Sequence, residues 1–122
     1  MSDHCQVRFL PGAVRELNRI AKHDPARLVV IERKVEQVEE DGWILSTKSE
    51  LTKVLRSESC VGEIRDLGSG GYRLFFFWAA GDDGRDLYVS HVLAKSQVTG
   101  RARISTVLDA VEKVRERFLR EE

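Results

Sequence analysis

The 122-residue chain lacks long apolar runs, and its composition is that of an ordinary globular protein. No stretch approaches the roughly 18 consecutive apolar residues that a membrane-spanning helix needs. The amino-terminal residues 1–6 have neither the basic start nor the apolar run of a secretion signal. We therefore expect a cytoplasmic protein that does not interact with membranes.

Cysteine is scarce, and Pro/Gly-rich linkers and internal repeats are lacking. The two cysteines, Cys5 and Cys60, are too few and too far apart for a zinc framework, so we expect free thiols that behave as small apolar side chains. Because no linker interrupts the chain, residues 1–122 are expected to form a single domain. The sequence shows no metal-ligand cluster, and we expect no cofactor.

The chain also lacks an excess of charge of either sign. Its 20 basic and 20 acidic residues balance to a formal net charge of zero. Non-specific attraction to nucleic acid usually requires a basic domain, so the balance argues against it. A local basic patch remains compatible with a neutral chain, and any nucleic-acid function must therefore depend on particular residues.

Hydrophobic spacing in the first half predicts a short strand and two helices. The strand covers 5–10, and apolar side chains recur at helical spacing over 13–22. Asp24-Pro25 predicts the start of the second helix, with Asp24 as N-cap, and Gly42 predicts its end. The short link between the two helices predicts an antiparallel hairpin.

The second half reads as a sheet followed by a helix, after an irregular stretch at 43–48. A short element at 51–55 is followed by three strands, at 61–67, 72–78 and 86–94, and by a final helix at 102–119. Turns over 68–71 and 81–84 separate the three strands. The strand over 72–78 has apolar residues at both odd and even positions, which indicates that both of its faces are covered. The order β-α-α-β-β-β-α predicts an α+β fold, in which the helical hairpin and the carboxyl-terminal helix pack on a mostly antiparallel sheet.

Three segments on consecutive predicted strands carry the functional signal. They are Gly62-Glu63-Ile64-Arg65, Gly71-Tyr72-Arg73-Leu74-Phe75-Phe76, and Ser90-His91-Val92-Leu93-Ala94-Lys95-Ser96-Gln97-Val98-Thr99. In these motifs and in its element order, the chain resembles the RelE/HigB toxin superfamily, in particular the phage-derived HigB-like group. The likeness in sequence covers roughly residues 50–120. Ala94 and Val98 depart from it, because the family often has lysines there.

The resemblance implies the toxin component of a type II toxin–antitoxin system. Such a toxin is a ribosome-dependent mRNA endonuclease that inhibits translation, and its implied partners are the ribosome, mRNA and a HigA-like helix-turn-helix antitoxin. Association with DNA would be indirect, through that antitoxin. Because the ribosome positions the substrate, the toxin needs no strongly basic surface of its own. Two alternatives stay open: a ParE-like toxin that inhibits DNA gyrase, and a catalytically degenerate RelE-fold binding module, which Ala94 and Val98 favour.

Four residues are candidates for the chemistry. RNA cleavage by a ribose 2′-hydroxyl needs a proton acceptor, a cation for the phosphorane and an acid for the leaving oxygen. Arg65 and Arg73 lie on consecutive predicted strands, and guanidinium groups bind phosphate bidentately without losing charge. His91 suits proton transfer, because its ordinary pKa is about 6.5. The resemblance adds Lys95 to this catalytic set.

Further residues are predicted to contact RNA, and each candidate has a structural alternative. The RNA-binding set is Lys53, Arg56, Gln97, Arg101 and Tyr72, and Arg103 can supply additional charge. As alternatives, the two catalytic arginines can instead pair with Glu63, Asp66 or Asp86, and His91 can be a satisfied core histidine. The remaining aromatic residues of the 72–78 strand are expected in the core.

Strand register decides whether the catalytic set shares one face of the sheet. A two-residue turn at 83–84 places Arg73 on the face opposite His91 and Lys95. A loop longer by one residue reverses the parity and brings all three to the same face. Both registers remain open from the sequence alone.

Overall fold

A computed structural model describes residues 4–65, 71–81 and 84–121 of the chain. Its elements are β1 (His4–Phe9), α1 (Pro11–His23), α2 (Pro25–Lys48), β2 (Thr52–Arg56), β3 (Val61–Arg65), β4 (Tyr72–Gly81), β5 (Gly84–Ala94), a 3₁₀ turn (Lys95–Val98) and α3 (Arg101–Glu121). The predicted α+β class is confirmed. The strand end predicted at 66–67, residues 68–70 of the first predicted turn and residues 82–83 of the second fall outside the described residues.

The strands form one mostly antiparallel sheet, as predicted. Their order is β1-β5-β4-β3-β2, and β1 pairs with β5 in parallel while the other neighbours are antiparallel. The short element expected over 51–55 is a full edge strand, β2. The described part of the chain therefore contains five strands, and the order becomes β-α-α-β-β-β-β-α.

Strand β4 separates two apolar cores. Leu74 and Phe76 belong to the core beneath the helical hairpin of α1 and α2, whereas Phe75 and Phe77 belong to the core beneath α3. All four side chains are at most 1% exposed. The prediction that this strand is covered on both faces is confirmed.

Helix α2 is interrupted at the glycine that was expected to end it, and a second helical segment follows. The Asp24 carboxylate accepts a hydrogen bond from the Arg27 backbone N–H at 3.2 Å, which confirms the predicted start. Gly42 has φ 81° and ψ 176°, so it kinks the helix, and the chain is helical again to Lys48. The predicted helix end at Gly42 is therefore confirmed, whereas the irregular stretch expected over 43–48 was wrong, because these residues form a second helical segment.

The packing of Trp43 explains why the chain re-enters the helix. This side chain is 8% exposed, and its ring centroid lies 5.0 Å from Trp78 and 6.2 Å from Phe76. The Arg85 guanidinium lies 4.5 Å from the centroid of the Trp43 ring, which adds a cation–π contact. Burial of this large aromatic side chain stabilises the helical segment that follows Gly42.

A bulge in β5 decides the register of the last hairpin. Gly81 pairs with Gly84, so two residues, 82 and 83, separate the paired strands instead of 83 and 84. Farther along, Phe76 lies opposite Val89 but Phe75 lies opposite His91, which leaves Ser90 as an extra residue. The bulge reverses the parity, so Arg73 and His91 share the α3 face of the sheet.

Gly62, in the first motif, is required by a close approach of two strands. A Cβ atom at this position would lie 2.7 Å from the backbone oxygen of Lys53 and 2.8 Å from Phe76 Cζ. Real Cβ atoms essentially never come this close to other atoms, so a side chain here would force β2 or the Phe76 ring to move. The glycine therefore lets β3 pack between its neighbours while Glu63 and Arg65 keep their positions.

Three further features concern the cysteines, membrane-spanning helices and metal sites. Cys5 is buried and Cys60 is half-buried, and no disulfide joins them. No helix within the described ranges has the length and apolar character needed to cross a bilayer. Among the same residues, no group of three or more His, Cys, Asp or Glu side chains is arranged to hold a metal ion.

Candidate functional site

Arg65 and Arg73 lie directly opposite each other on β3 and β4. Both share the parity of Phe75 and therefore lie on the α3 face. The Glu63 carboxylate lies between them: Arg65 Nε is 3.5 Å from Glu63 Oε1, and Arg73 Nη1 is 3.8 Å from Glu63 Oε2. One carboxylate thus holds two guanidinium groups side by side. Pairing with Glu63 is the structural alternative that the sequence left open for these two arginines.

The charges of this group do not cancel. The Glu63 side chain is 3% exposed, whereas Arg65 and Arg73 keep 27% and 20% of their side chains exposed. Glu63 Oε2 has no hydrogen bond, because 3.8 Å is within ion-pair range but too long for one. Two cations share one buried anion, so a positive charge remains unbalanced on the exposed side. An anion is the ligand that this arrangement favours.

Lys53 extends the basic group across a third strand. It lies opposite Glu63 on β2, so it is on the same face as the two arginines, and its side chain is exposed. We call Lys53, Glu63, Arg65 and Arg73 the arginine cluster. Two of its members were predicted as catalytic and one as RNA-binding, and the structure brings these three together.

Arg56, also predicted to bind RNA, is engaged in the fold. Its Nη1 lies 2.8 Å from Asp109 Oδ1 and 2.7 Å from Glu112 Oε1, and its Nη2 lies 3.4 Å from Ser105 Oγ. The hydrogen bond to Asp109 raises the pKa of Arg56. This guanidinium ties β2 to α3, and an RNA phosphate would have to compete with two carboxylates for it.

His91 shares the face of the arginine cluster but lies one strand farther across the sheet. It is opposite Phe75, which is fully buried and in turn lies opposite Glu63. Its Nδ1 is 2.8 Å from Ser90 Oγ, and burial lowers the pKa of the imidazole. At pH 7 the ring is therefore neutral, and Nε2 has no hydrogen-bond partner within the described residues.

A cleft of about 590 Å³ opens beside His91. Its floor is formed by β5, one wall by the start of α1 and the other by the carboxyl-terminal half of α3. We call it the His91 cleft. Arg15 and Arg117 line it from opposite walls. Neither was predicted as a site residue, because residues about a hundred positions apart share no local sequence pattern.

Lys95 and Gln97 lie in the 3₁₀ turn that follows β5. The Lys95 backbone N–H donates to the Gly71 carbonyl at 2.9 Å, which joins this turn to the start of β4. The Gln97 side chain accepts a hydrogen bond from the Ala94 N–H at 2.9 Å, so it stabilises the turn. The Lys95 side chain is exposed, and a shallow pocket lies beside it.

Arg101 and Arg103 lie in the first turn of α3, where both are exposed. That turn contains no acidic residue. Cations near a helix amino terminus are unfavourable, because the helix dipole places partial positive charge there. The arrangement contributes nothing to helix stability, and it favours an anion at this end of α3.

Tyr72 lies on the other face of the sheet. It is partly buried and packs against the core beneath the helical hairpin, so the sheet separates it from Arg73. Its predicted RNA contact would have to be made from a face that α1 and α2 cover. Successive residues of a strand point to opposite faces, which separates Tyr72 from Arg73 in any register, and the Ser90 bulge places His91 on the side of Arg73.

The predicted catalytic residues thus fall into two groups on one face, the arginine cluster and the His91 cleft, with Lys95 beyond the end of β5. Lys95 is not among the residues that line the cleft. No family model, curated protein or solved structure matches the chain. The likeness to RelE/HigB toxins therefore depends on the three motifs, because the observed element order has one strand more than the order on which the resemblance was based.

Proposed function

We propose that this protein is a toxin of the RelE/HigB kind that cleaves mRNA on the ribosome and is held inactive by a HigA-like antitoxin. The observation that carries the proposal is the pair Arg65 and Arg73, opposite each other on adjacent strands and on the face that also holds His91. The three motifs of the resemblance lie on β3, β4 and β5, which are neighbours in the sheet.

In the proposed reaction, the exposed sides of Arg65 and Arg73 bind the scissile phosphate. Their charge stabilises the phosphorane that forms when the ribose 2′-oxygen attacks phosphorus. The neutral His91 imidazole accepts the 2′-hydroxyl proton at Nε2, because Nδ1 is engaged with Ser90. The P–O5′ bond then breaks, the 5′-oxygen takes a proton from solvent and His91 returns its proton to solvent, which leaves a 2′,3′-cyclic phosphate and a 5′-hydroxyl.

The exposed cations beyond β5 support binding of the RNA backbone. Lys95, Arg101 and Arg103 are solvent-exposed, and none of them has an ion-pair partner among the residues described. Phosphate contacts of this kind position a nucleic acid without reading its sequence. The zero net charge of the chain fits a substrate that the ribosome delivers.

The test is cleavage of a defined message by the purified chain, with and without translating ribosomes. We expect new 5′ ends inside the coding region only when ribosomes are present. Arg73→Ala should lower the cleavage rate about 10²–10³-fold, the usual effect of removing one group that stabilises transition-state charge. Arg33→Ala, on the exposed surface of α2, is the matched control and should cleave at the normal rate.

Other outcomes separate the alternatives. Intact messages together with loss of DNA supercoiling would identify a gyrase inhibitor, and neither effect would indicate a binding module. Full cleavage by a folded Arg73→Ala protein would remove this residue from the site. The proposal also expects a helix-turn-helix protein encoded beside this chain, and co-expression of that protein should restore growth of cells that the toxin arrests.

A further inference from the structure

The two arginines of the His91 cleft face it from different helices. Arg15 lies in the second turn of α1, and Arg117 lies near the end of α3. Neither has an ion-pair partner in the described part of the chain. Two carboxylates also line the cleft: Glu16, which is paired with Arg19, and Glu121, which lies on the same wall as Arg117. Each wall of the cleft therefore presents a guanidinium group that is not held in an ion pair.

The start of α1 adds a further donor to the same wall. Leu10, at the N-cap position, offers no side-chain acceptor, and the first turn contains no acidic residue. Pro11 and Gly12 line the cleft; proline has no N–H, so the donor beside the cleft is the Gly12 N–H, which precedes the first intrahelical bond from Val14 to Leu10. Backbone N–H groups and the positive end of the helix dipole both favour an anion at such a position.

The floor combines a polar pair with apolar surface. Ser90 is 7% exposed and its hydroxyl contacts His91 Nδ1, which fixes the orientation of the imidazole. Apolar side chains complete the lining, among them Leu10, Leu93 and Phe118. A cleft of about 590 Å³ is within the size range of sites for small organic ligands.

We infer that the His91 cleft binds a nucleotide, with its phosphate held by Arg15 and Arg117 and its nucleoside against the apolar lining. His91 Nε2 supplies a further hydrogen bond. Under the proposed function, on which this choice of ligand rests, the nucleotide is part of the RNA next to the cut. The binding step itself requires neither cleavage nor the ribosome.

Nuclear magnetic resonance of the full chain tests this inference, with adenosine 5′-monophosphate as the probe and unphosphorylated adenosine as the comparison. The monophosphate should shift the His91 ring signals and the Arg15 and Arg117 Nε signals, and adenosine should leave the arginine signals unmoved. Arg15→Gln and Arg117→Gln should each weaken binding of the monophosphate about tenfold, because each removes a charge-assisted contact. Arg33→Gln is the matched control and should bind normally.

Two results would overturn the inference. One is a monophosphate titration that leaves the His91 ring signals unchanged, and the other is equal binding by adenosine, which carries no phosphate. Failure of the proposed function looks different: the cleft would still bind the monophosphate while messages stay intact on the ribosome. Cleavage that persists at the normal rate in a folded Arg15→Gln, Arg117→Gln double variant would overturn the assignment of the cleft to RNA.

Discussion

The two faces of the sheet are covered very differently. Beneath the helical hairpin, Trp43, Phe76 and Trp78 form one apolar cluster, and the side chains of β4 that point to this face are aromatic or aliphatic. On the opposite face, the same strand contributes buried Phe75 and Phe77 but also Arg73. A pair of helices covers most of a face, whereas the single helix α3 covers a stripe and leaves charged groups at its margin.

The difference shows on which face this fold carries charged groups that lower its stability. Glu63 is a buried carboxylate with one oxygen unbonded, and basic residues occupy the wrong end of α3. Both features lie on the α3 face, and both reduce stability unless something else is gained. Departures from local stability rules of this kind concentrate at functional sites.

The largest expected effect is on the free energy of unfolding, when one phenylalanine is removed from each of the two cores in turn. Phe76→Ala should cost about 3–5 kcal/mol of unfolding free energy, because the Trp43 and Trp78 rings fix the cavity that remains. Phe75→Ala should cost less, since α3 packs as a single helix and can settle into the space. Urea unfolding of both variants measures this, and an equal or reversed order would contradict the proposed asymmetry between the faces.

The next effect concerns Glu63. Glu63→Gln should cost about 1–2 kcal/mol, between an exposed ion pair and a fully buried one, because both arginine partners are partly exposed. It should also lower kcat for mRNA cleavage more than it raises KM, since the guanidiniums lose their shared anchor. An unchanged kcat would show that the carboxylate has a structural role alone. The Glu63→Asp variant should recover part of kcat.

A smaller effect separates two basic residues of β2. Arg56→Ala should lower stability by about 1 kcal/mol or less, because it removes partly exposed ion pairs to α3, and it should leave cleavage unchanged. Lys53→Ala should do the reverse, with normal stability and slower cleavage. Urea midpoints and cleavage rates of the two variants test this together. Loss of cleavage in a stable Arg56→Ala protein would return that residue to the RNA-binding set.

The smallest effect is a pH dependence from His91. Burial lowers its pKa in the folded chain, so below the ordinary value of about 6.5 the unfolded chain binds more protons. The stability present above that pH is therefore lost as pH falls towards and through the lowered value. Urea midpoints at about pH 7.5 and pH 5.5 should differ more for the natural chain than for His91→Gln. Equal differences would show that His91 titrates normally.

Much of the fold was predictable from local patterns. The hairpin helices, the α+β class and the double-sided burial of β4 follow from the spacing of apolar side chains, which depends on neighbours in sequence. The candidate site was less predictable. The motifs placed Arg65, Arg73 and His91 on consecutive strands, but Arg15 and Arg117 reach the His91 cleft only through packing of α1 and α3 on the sheet.

The sequence by itself determined the elements and the order of the three motifs, because periodicity and turn residues act locally. Tertiary structure alone decided which side chains share a face. The bulge at Ser90 reverses the strand parity without a local sequence signal, and it brings Arg73 to the side of His91. Arg56 pairs with Asp109, 53 positions away, only because α3 folds back across β2. Long-range packing therefore set which charges remain available at the α3 face.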